Sequence, residues 1–250
     1  MTSAPMLVLF TDFGLAGPYM GQMRAALHRD APGLVIVDLF ADAPSFDIRA
    51  AAYLLAAYAP DFPAGAVFVC VVDPGVGGKR PAMVLRAEGR AGGQVFVGPG
   101  NGLFEIIARR APSFKAERIA WRPERLSASF HGRDLFAPAA AAIARGDAVA
   151  SQSLEDIDWR HPDWPDDLCQ VIYLDHYGNA ITGLRATGLP SGQRIAIASH
   201  ELHRSRTFGE VTPGQAFWYE NANGLVEIAV NQGSAAQELN LTPGTSMTFL

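Results

Sequence analysis

Eight consecutive residues, Ala66-Val67-Phe68-Val69-Cys70-Val71-Val72-Asp73, constrain this chain more than any other stretch. The run is apolar until its last residue, it is strand-sized, and it turns at once through Pro74-Gly75-Val76-Gly77-Gly78-Lys79 into Arg80. A strand without polar alternation has no face to offer water, so it belongs inside a helix-covered sheet. In open α/β sheets the carboxyl ends of such strands are where ligands and chemistry collect. An acid held there, with a cation one tight turn away, is a candidate reaction centre. The same residues also describe an ordinary turn, in which Asp73 caps backbone amides and Arg80 is solvated.

The residues around this run repeat its logic. Residues 6–10 form a short β-rich run that breaks at Thr11-Asp12-Phe13-Gly14, and residues 34–40 form a second buried-type strand. Further strands are expected over 81–87 and 94–97, the latter breaking at Gly98-Pro99-Gly100-Asn101-Gly102. Helices are expected over 19–28 with Pro18 in the first turn, over 46–58 with Ser45 as cap, over 103–110, and over the alanine-rich 134–145. Strands alternating with helices at this spacing imply a largely parallel, helix-covered sheet. After Gly146 the pattern changes. Residues 158–168 are polar, proline-punctuated and aperiodic, as a linker is. Short strand candidates follow at 170–174, 180–184, 194–198, 216–219, 225–230 and 246–250 with no helix between them, the pattern of a small antiparallel barrel or sandwich. The expected organisation is an N-terminal α/β domain (1–157), a linker (158–168) and a C-terminal β-barrel domain (169–250).

Composition narrows the function. At 250 residues, 49 % of them apolar, the chain can bury a sizeable core, and a net charge of −5 without a Lys/Arg run argues against nucleic acid as partner. Two cysteines, Cys70 and Cys169, are too few for a disulfide scaffold or a thiolate zinc site, and both read as small apolar residues. Residues 1–7 lack the features of a signal peptide, and the longest apolar stretches are strand-sized, so the expectation is a cytoplasmic protein without membrane contact.

Several turns carry candidate chemistry. Asp12, directly after a strand, can accept both hydroxyls of a ribose or cap a helix. The glycines around Asn101 permit close approach of backbone to a ligand, and Asn101 can bind one through its amide or merely serve a change of direction. In Ser129-Phe130-His131-Gly132-Arg133-Asp134, His131 can reach a cleft from a tight turn or be a satisfied structural histidine, and Asp134 is placed to cap the following helix. Asp175-His176-Tyr177-Gly178-Asn179 offers an acid, an aromatic face and an amide, or simply a hairpin turn. Asn221-Ala222-Asn223-Gly224 and Asn231-Gln232-Gly233-Ser234-Ala235-Ala236 are similarly amide-rich. No metal-ligand spacing, Walker loop, GxGxxG or GxSxG is present.

Taken in order, Thr-Asp-Phe-Gly, Asp73-Pro-Gly-Val-Gly with Arg80, Gly-Pro-Gly-Asn-Gly, Ser-Phe-His-Gly-Arg-Asp, Tyr-Gly-Asn and Asn-Gln-Gly-Ser-Ala-Ala resemble the S-adenosyl-L-methionine (SAM) hydrolases that form adenosine, also called SAM hydroxide adenosyltransferases. That family is related to the SAM-dependent fluorinases and chlorinases, and the likeness spans nearly the whole chain. It implies an N-terminal α/β domain, a C-terminal β-barrel and a homotrimer with SAM lying between the N-terminal domain of one subunit and the C-terminal domain of its neighbour. It implies a catalytic triad of Asp73, Arg80 and His131, with Asp12 on the ribose hydroxyls and Phe46 near the substrate. Asp175 would meet the methionine amino group, Tyr177 and Asn179 the adenosyl part, and the backbone near Gln232 the adenine. The fluorinases carry a tyrosine in place of Asp73 and a serine in place of Gly132, so this chain has the hydrolase residues. Where the halogenases carry Ser-Arg near the methionine carboxylate, Ala222-Asn223 stands here, which puts Asn223 at the arginine's position.

The sulfonium of SAM leaves as a neutral thioether, so no general acid, metal or cofactor is required. What the reaction needs is a water aligned opposite sulfur at C5′ and a base for its proton. Arg80 would weaken Asp73 as a base, and an imidazole near neutrality suits His131 to the role, so the sequence leaves both residues open as the base. The competing functions are a SAM-dependent halogenase, which Asp73 would disfavour by repelling halide, a non-catalytic SAM- or adenosine-binding module, and a metal-dependent phosphohydrolase using Asp12, Asp73 and Asp134.

Overall fold

The structure, a computed structural model, describes residues 5–89 and 92–250. Of the N-terminal stretch weighed as a possible signal peptide, residues 1–4 lie outside the described residues. One compact unit ends at Asp163 and a second begins at Trp164. The expected linker residue Trp159 is buried in the first unit, where the neighbouring Arg160 and the His161 N–H bind Glu105.

The first unit runs β1 (Leu7–Thr11), α1 (Tyr19–Asp30), β2 (Ile36–Phe40), α2 (Ile48–Tyr58), β3 (Val67–Val71), β4 (Ala82–Ala87), β5 (Gln94–Pro99), α3 (Glu105–Arg110), β6 (Phe114–Ile119), α4 (Ala137–Ala144) and β7 (Ser151–Ser153). Among the described residues these strands form one seven-stranded sheet in the order β2-β1-β3-β5-β4-β6-β7. The β2, β1, β3 and β5 ladders are parallel, whereas β4, β6 and β7 add antiparallel. The parallel part is thus confined to one side, because no helix separates β3, β4 and β5 along the chain.

The apolar runs are buried on both faces, as a strand without alternation requires. Leu7, Leu9, Val67, Val69 and Val71 pack against α1 and α4 in one aliphatic layer. On the opposite face Phe10 meets Phe40, and Phe68 stacks on Phe96 with centroids 4.8 Å apart. Parallel pairing of Thr11 with Val71 and of Val69 with Val97 brings the carboxyl ends of β1, β3 and β5 to one edge.

Two local expectations are corrected. Helix α2 begins at Ile48 and is capped by Asp47, whose Oδ1 accepts the Ala50 N–H at 2.9 Å; Ser45 is not the cap, because Phe46 sits at φ +62° and cannot enter a helix. The alanine-rich helix begins at Ala137, preceded by a single π-helical turn, Gly132–Phe136. Asp134 lies inside that turn and caps nothing: it accepts the Ser127 N–H at 2.9 Å and pairs with Arg133.

The second unit holds β8 (Leu168–Leu174), β9 (Ala180–Arg185), β10 (Ile195–Ile197), β11 (His200–Leu202), β12 (Ala216–Glu220), β13 (Leu225–Val230), α5 (Ala235–Glu238) and β14 (Met247–Phe249). Its strands form two antiparallel sheets, β12-β13-β9-β8 and β11-β10-β14, around a core that includes Trp218, Val226 and Ile228. The short helix α5, capped by Ser234, and the strand β11 were not expected from the sequence. Cys70 is buried, Cys169 is partly so, and both are free thiols. No helix among the described residues is long and apolar enough to cross a membrane.

Candidate active site

Beyond β3 the chain continues as Val72-Asp73 and then doubles back. The Val76 N–H donates to the Asp73 carbonyl at 3.2 Å and the Gly78 N–H to the Gly75 carbonyl at 2.9 Å. Gly77 is at φ +79°, and a Cβ there would lie 2.8 Å from the backbone oxygen of Ala128, so no other residue fits this crossing. The doubled loop returns Arg80 onto Asp73. Arg80 Nε donates to both carboxylate oxygens at 3.1 Å, and Nη2 bonds Oδ2. Asp73 and Arg80 retain only 3 % and 11 % side-chain exposure, which removes the reading of a solvated turn.

Arg80 Nη2 also lies 2.9 Å from His131 Nδ1. A guanidinium has only donors, so Nδ1 accepts and the ring proton sits on Nε2. Burial and then the Arg80 charge push the imidazole below its ordinary value, against the pull of Asp73, and the ring is neutral at neutral pH. The π-helical turn after His131, closed by the Ala137 N–H on the Gly132 carbonyl, brings Phe136 beneath this group. The buried Phe136 ring is 6.5 Å from the His131 ring and 5.2 Å from the Arg80 guanidinium carbon. In the sequence Phe136 is one more residue of the alanine-rich helix expected over 134–145; only the five-residue spacing of a π turn pairs it with His131.

Asp12 follows β1 at the same edge. Its Oδ2 accepts the Phe46 N–H at 3.2 Å. Burial raises the Asp12 carboxyl above its ordinary value, the Phe46 N–H offsets part of the rise, and the Asp73 charge adds to it. Phe46 is 77 % exposed and left-handed, a strained backbone set against a carboxylate. Asn101 is placed differently from a free ligand-binding amide. Its Nδ2 donates to the Val72 carbonyl at 3.0 Å and its Oδ1 accepts the Leu103 N–H at 3.3 Å, so it ties the end of β3 to the loop after β5. Gly98 likewise makes its close approach to the protein's own backbone, the Cys70 carbonyl.

In the second unit Asp175, Tyr177 and Asn179 occupy the β8–β9 turn. Asp175 Oδ1 accepts the N–H groups of Tyr177 and Asn179 at 2.9 and 2.8 Å, and Oδ2 accepts Asn179 Nδ2 at 3.0 Å. These three residues and Gln232 line a cleft of about 560 Å³ together with Phe208, Tyr219 and Glu227. Gln232 sits at φ +59°, and Asn223 stands in the neighbouring turn, outside that lining, with its N–H on Asn221 Oδ1 at 3.0 Å. Glu227 lies inside the apolar strand pattern of 225–230, which carries no sign of a site residue. Among the described residues no group of three or more His, Cys, Asp or Glu side chains could hold a metal ion.

Residues 7–153 match the model of the SAM hydroxide adenosyltransferase N-terminal domain, and residues 169–248 that of the C-terminal domain. The chain is 39 % identical to an (R)-S-adenosyl-L-methionine hydrolase of Thermus thermophilus, over 96 % of this chain and 97 % of that one. It is 36 % identical to an (R)-S-adenosyl-L-methionine hydrolase of Salinispora arenicola, over 99 % and 98 %. Its fold is similar to the crystal structure of an uncharacterized conserved protein from Thermotoga maritima, with TM-score 0.80 and 29 % identity over 98 % of this chain and 99 % of that one. With domain models covering both units in order, and full-length relatives at 39 % and 36 % identity, this chain belongs to the SAM hydroxide adenosyltransferase family.

Proposed function

We propose that this protein hydrolyses S-adenosyl-L-methionine to adenosine and L-methionine, with Asp73, Arg80 and His131 acting on one water. The observation that carries this reading is the single guanidinium that touches both the Asp73 carboxylate and His131 Nδ1. In the reaction the water oxygen forms a bond to C5′ as the C5′–S bond breaks. The electron pair of that bond stays on sulfur, which leaves as the neutral thioether of methionine. One water proton must go to the protein. His131 Nδ1 is held by Arg80 and Nε2 already carries the ring proton, so the imidazole has no free lone pair for it. Asp73 Oδ2 accepts both Nε and Nη2 of Arg80, whereas Oδ1 accepts Nε alone and keeps a lone pair, and Asp73 is therefore the base. Arg80 fixes the acid and stabilises negative charge developing on the attacking oxygen, and His131 Nε2–H orients it. Asp12, with one oxygen set by Phe46, is positioned for the ribose hydroxyls. Asp175, Tyr177, Asn179 and Gln232 supply the cleft for the remainder of the substrate, and Asn223 is the candidate for the methionine carboxylate.

The halogenase alternative is disfavoured on charge: Asp73 would repel a halide, and Gly132 offers no side-chain donor for one. Supplying chloride or fluoride with SAM is expected to give adenosine alone by mass spectrometry, and a halogenated nucleoside would reverse the assignment. The reaction as written needs no metal, so turnover is expected to persist in EDTA; a loss restored by a divalent cation would count against it.

The pH profile follows from His131. Protonation would place a second cation against Arg80, and burial and that charge already hold the imidazole below its ordinary value. The kcat/KM of the hydrolase is expected to stay level from neutral pH down past the usual imidazole range of about 6.5 and to fall only below it. A fall beginning above pH 7 would contradict a neutral, Arg80-bound His131.

Three coarser features complete the reading. The C-terminal unit closes as a β-barrel, supported by the isolated bridges Gln170–Ser246 and Arg204–Trp218, which join the two sheets at both margins. The protein is a homotrimer with SAM between the N-terminal domain of one subunit and the C-terminal domain of its neighbour, as the family resemblance implies; light scattering after size exclusion reads the subunit number. The two free thiols fit a cytoplasmic setting.

A further inference from the structure

The loop that carries Asp73 and Arg80 is held at both of its ends by two consecutive residues of another turn, Gly100 and Asn101. On the entering side, β5 pairs with β3 as far as Val69–Val97 and β1 as far as Thr11–Val71, so the strand ladder runs out before Val72. Val72 is fully buried, and an unpaired carbonyl there would be costly. Asn101 Nδ2 takes the place of the missing strand and donates to the Val72 oxygen at 3.0 Å. That oxygen belongs to the peptide joining Val72 to Asp73, and a planar peptide fixed at its oxygen is fixed at the Asp73 nitrogen as well. On the leaving side, the Gly100 N–H donates at 2.8 Å to the carbonyl of Pro81, the residue after Arg80. A Cβ at Gly100 would lie 2.6 Å from Cγ of the Pro81 ring, so glycine permits this approach.

The Asn101 amide has one working orientation. Its Oδ1 accepts the Leu103 N–H at 3.3 Å, and an amide oxygen cannot donate, so Nδ2 is the atom that faces Val72. The two bonds have separate consequences. The Leu103 bond closes a local Asx turn ahead of α3. The Val72 bond spans 29 residues of sequence and reaches the strand that delivers Asp73. Gly100 and Asn101 together therefore set the spacing of the entering and leaving arms, and with it the seat of the Asp73 carboxylate on the Arg80 guanidinium.

We propose that Asn101 is a positioning residue for the hydrolytic step: by holding the Val72 carbonyl while Gly100 holds Pro81, it keeps the Asp73–Arg80 pair in the geometry that presents water to C5′. The inference rests on the hydrolase reading. Asn101→Asp keeps the shape and the acceptor for Leu103 but sets an oxygen, not a donor, against Val72, whereas Asn101→Ala removes both bonds. Each is expected to lower kcat for SAM by about thirtyfold or more, as a small displacement of a reacting group does, and to leave the calorimetric dissociation constant within about threefold. Hydrogen exchange of the substrate-free, full-length proteins reads the same contact without turnover. Peptides covering 72–80 are expected to exchange about tenfold faster or more in both variants, with those of β1 unchanged. Wild-type kcat in Asn101→Asp would reduce the residue to its local turn, and weaker SAM binding at unchanged kcat would make it a ligand contact; either overturns the proposal. Exchange over 72–80 at the wild-type rate overturns it too. Should Asn101→Asp not fold, Asn101→Ala is read in the same way. A wild type that leaves SAM intact would sink the hydrolase reading, and the exchange comparison would still decide whether Asn101 holds the loop.

Discussion

Asp73→Asn is expected to lower kcat for SAM hydrolysis by about a thousandfold while leaving the dissociation constant for SAM within about threefold. The asparagine keeps the shape of the side chain and can still accept from Arg80, so the cation remains in place. What disappears, on the proposed mechanism, is the carboxylate that takes the proton from water. The groups proposed to bind the substrate, by contrast, sit elsewhere: Asp12 at the end of β1 and the cleft residues of the second unit. A loss confined to kcat is the mark of an interaction made only in the transition state. Stopped-flow or coupled turnover, paired with calorimetric binding, separates the two constants. A variant that kept wild-type kcat would return the base role to His131, and one that lost binding in the same proportion would make Asp73 a substrate anchor.

Gly98→Ala is expected to produce a large loss of stability. Gly98 lies in β5, beside β3, and a Cβ there would come 2.3 Å from the Cys70 carbonyl oxygen and 3.0 Å from the Phe104 ring. The first is backbone, and the second belongs to a ring buried in the core. The two strands must part, and β3 is the strand that delivers Asp73. Overpacking against backbone costs about 3 kcal/mol, near the upper end of such substitutions. In a domain of this size that corresponds to a fall in Tm of about 10 °C. Calorimetry gives the Tm, and turnover below the transition should fall as well, because the end of β3 shifts relative to Asn101, whose amide holds the Val72 carbonyl. A Tm within about 2 °C of wild type would mean that the β3–β5 spacing is less rigid than the packed ladder implies.

The contrast between what the sequence announced and what it hid has physical causes. The strands β1 and β3 are buried from end to end, so their apolar runs declare them. Strand β6, with its Lys115 and Glu117, and the wholly exposed β7 carry no such mark, because they extend the sheet where one face or both meet water. The cap of α2 was misplaced by two residues since Ser45 and Asp47 are both good caps; the left-handed Phe46 between them decides, and no composition rule foretells it. Candidate site residues that end strands or occupy glycine turns, such as Asp12, Asp73 and His131, stand out in the sequence because their position is itself a signal. Phe136 and Glu227 were not. One meets His131 and Arg80 through a π turn inside a run of alanines, and the other meets Tyr219 and Asn221 through the antiparallel pairing of β12 with β13. Asn101 was legible as a turn residue, yet its partners, the Val72 carbonyl and the Leu103 N–H, exist only once the strands are side by side.

The central claim is that a water organised by Asp73, Arg80 and His131 displaces methionine from C5′. The direct measurement is turnover of SAM in H₂¹⁸O, with the nucleoside and the amino acid analysed by mass spectrometry. The label is predicted in the 5′-hydroxyl of adenosine and absent from methionine. Unlabelled adenosine, label in methionine, or a nucleoside carrying any other group at C5′ would contradict it.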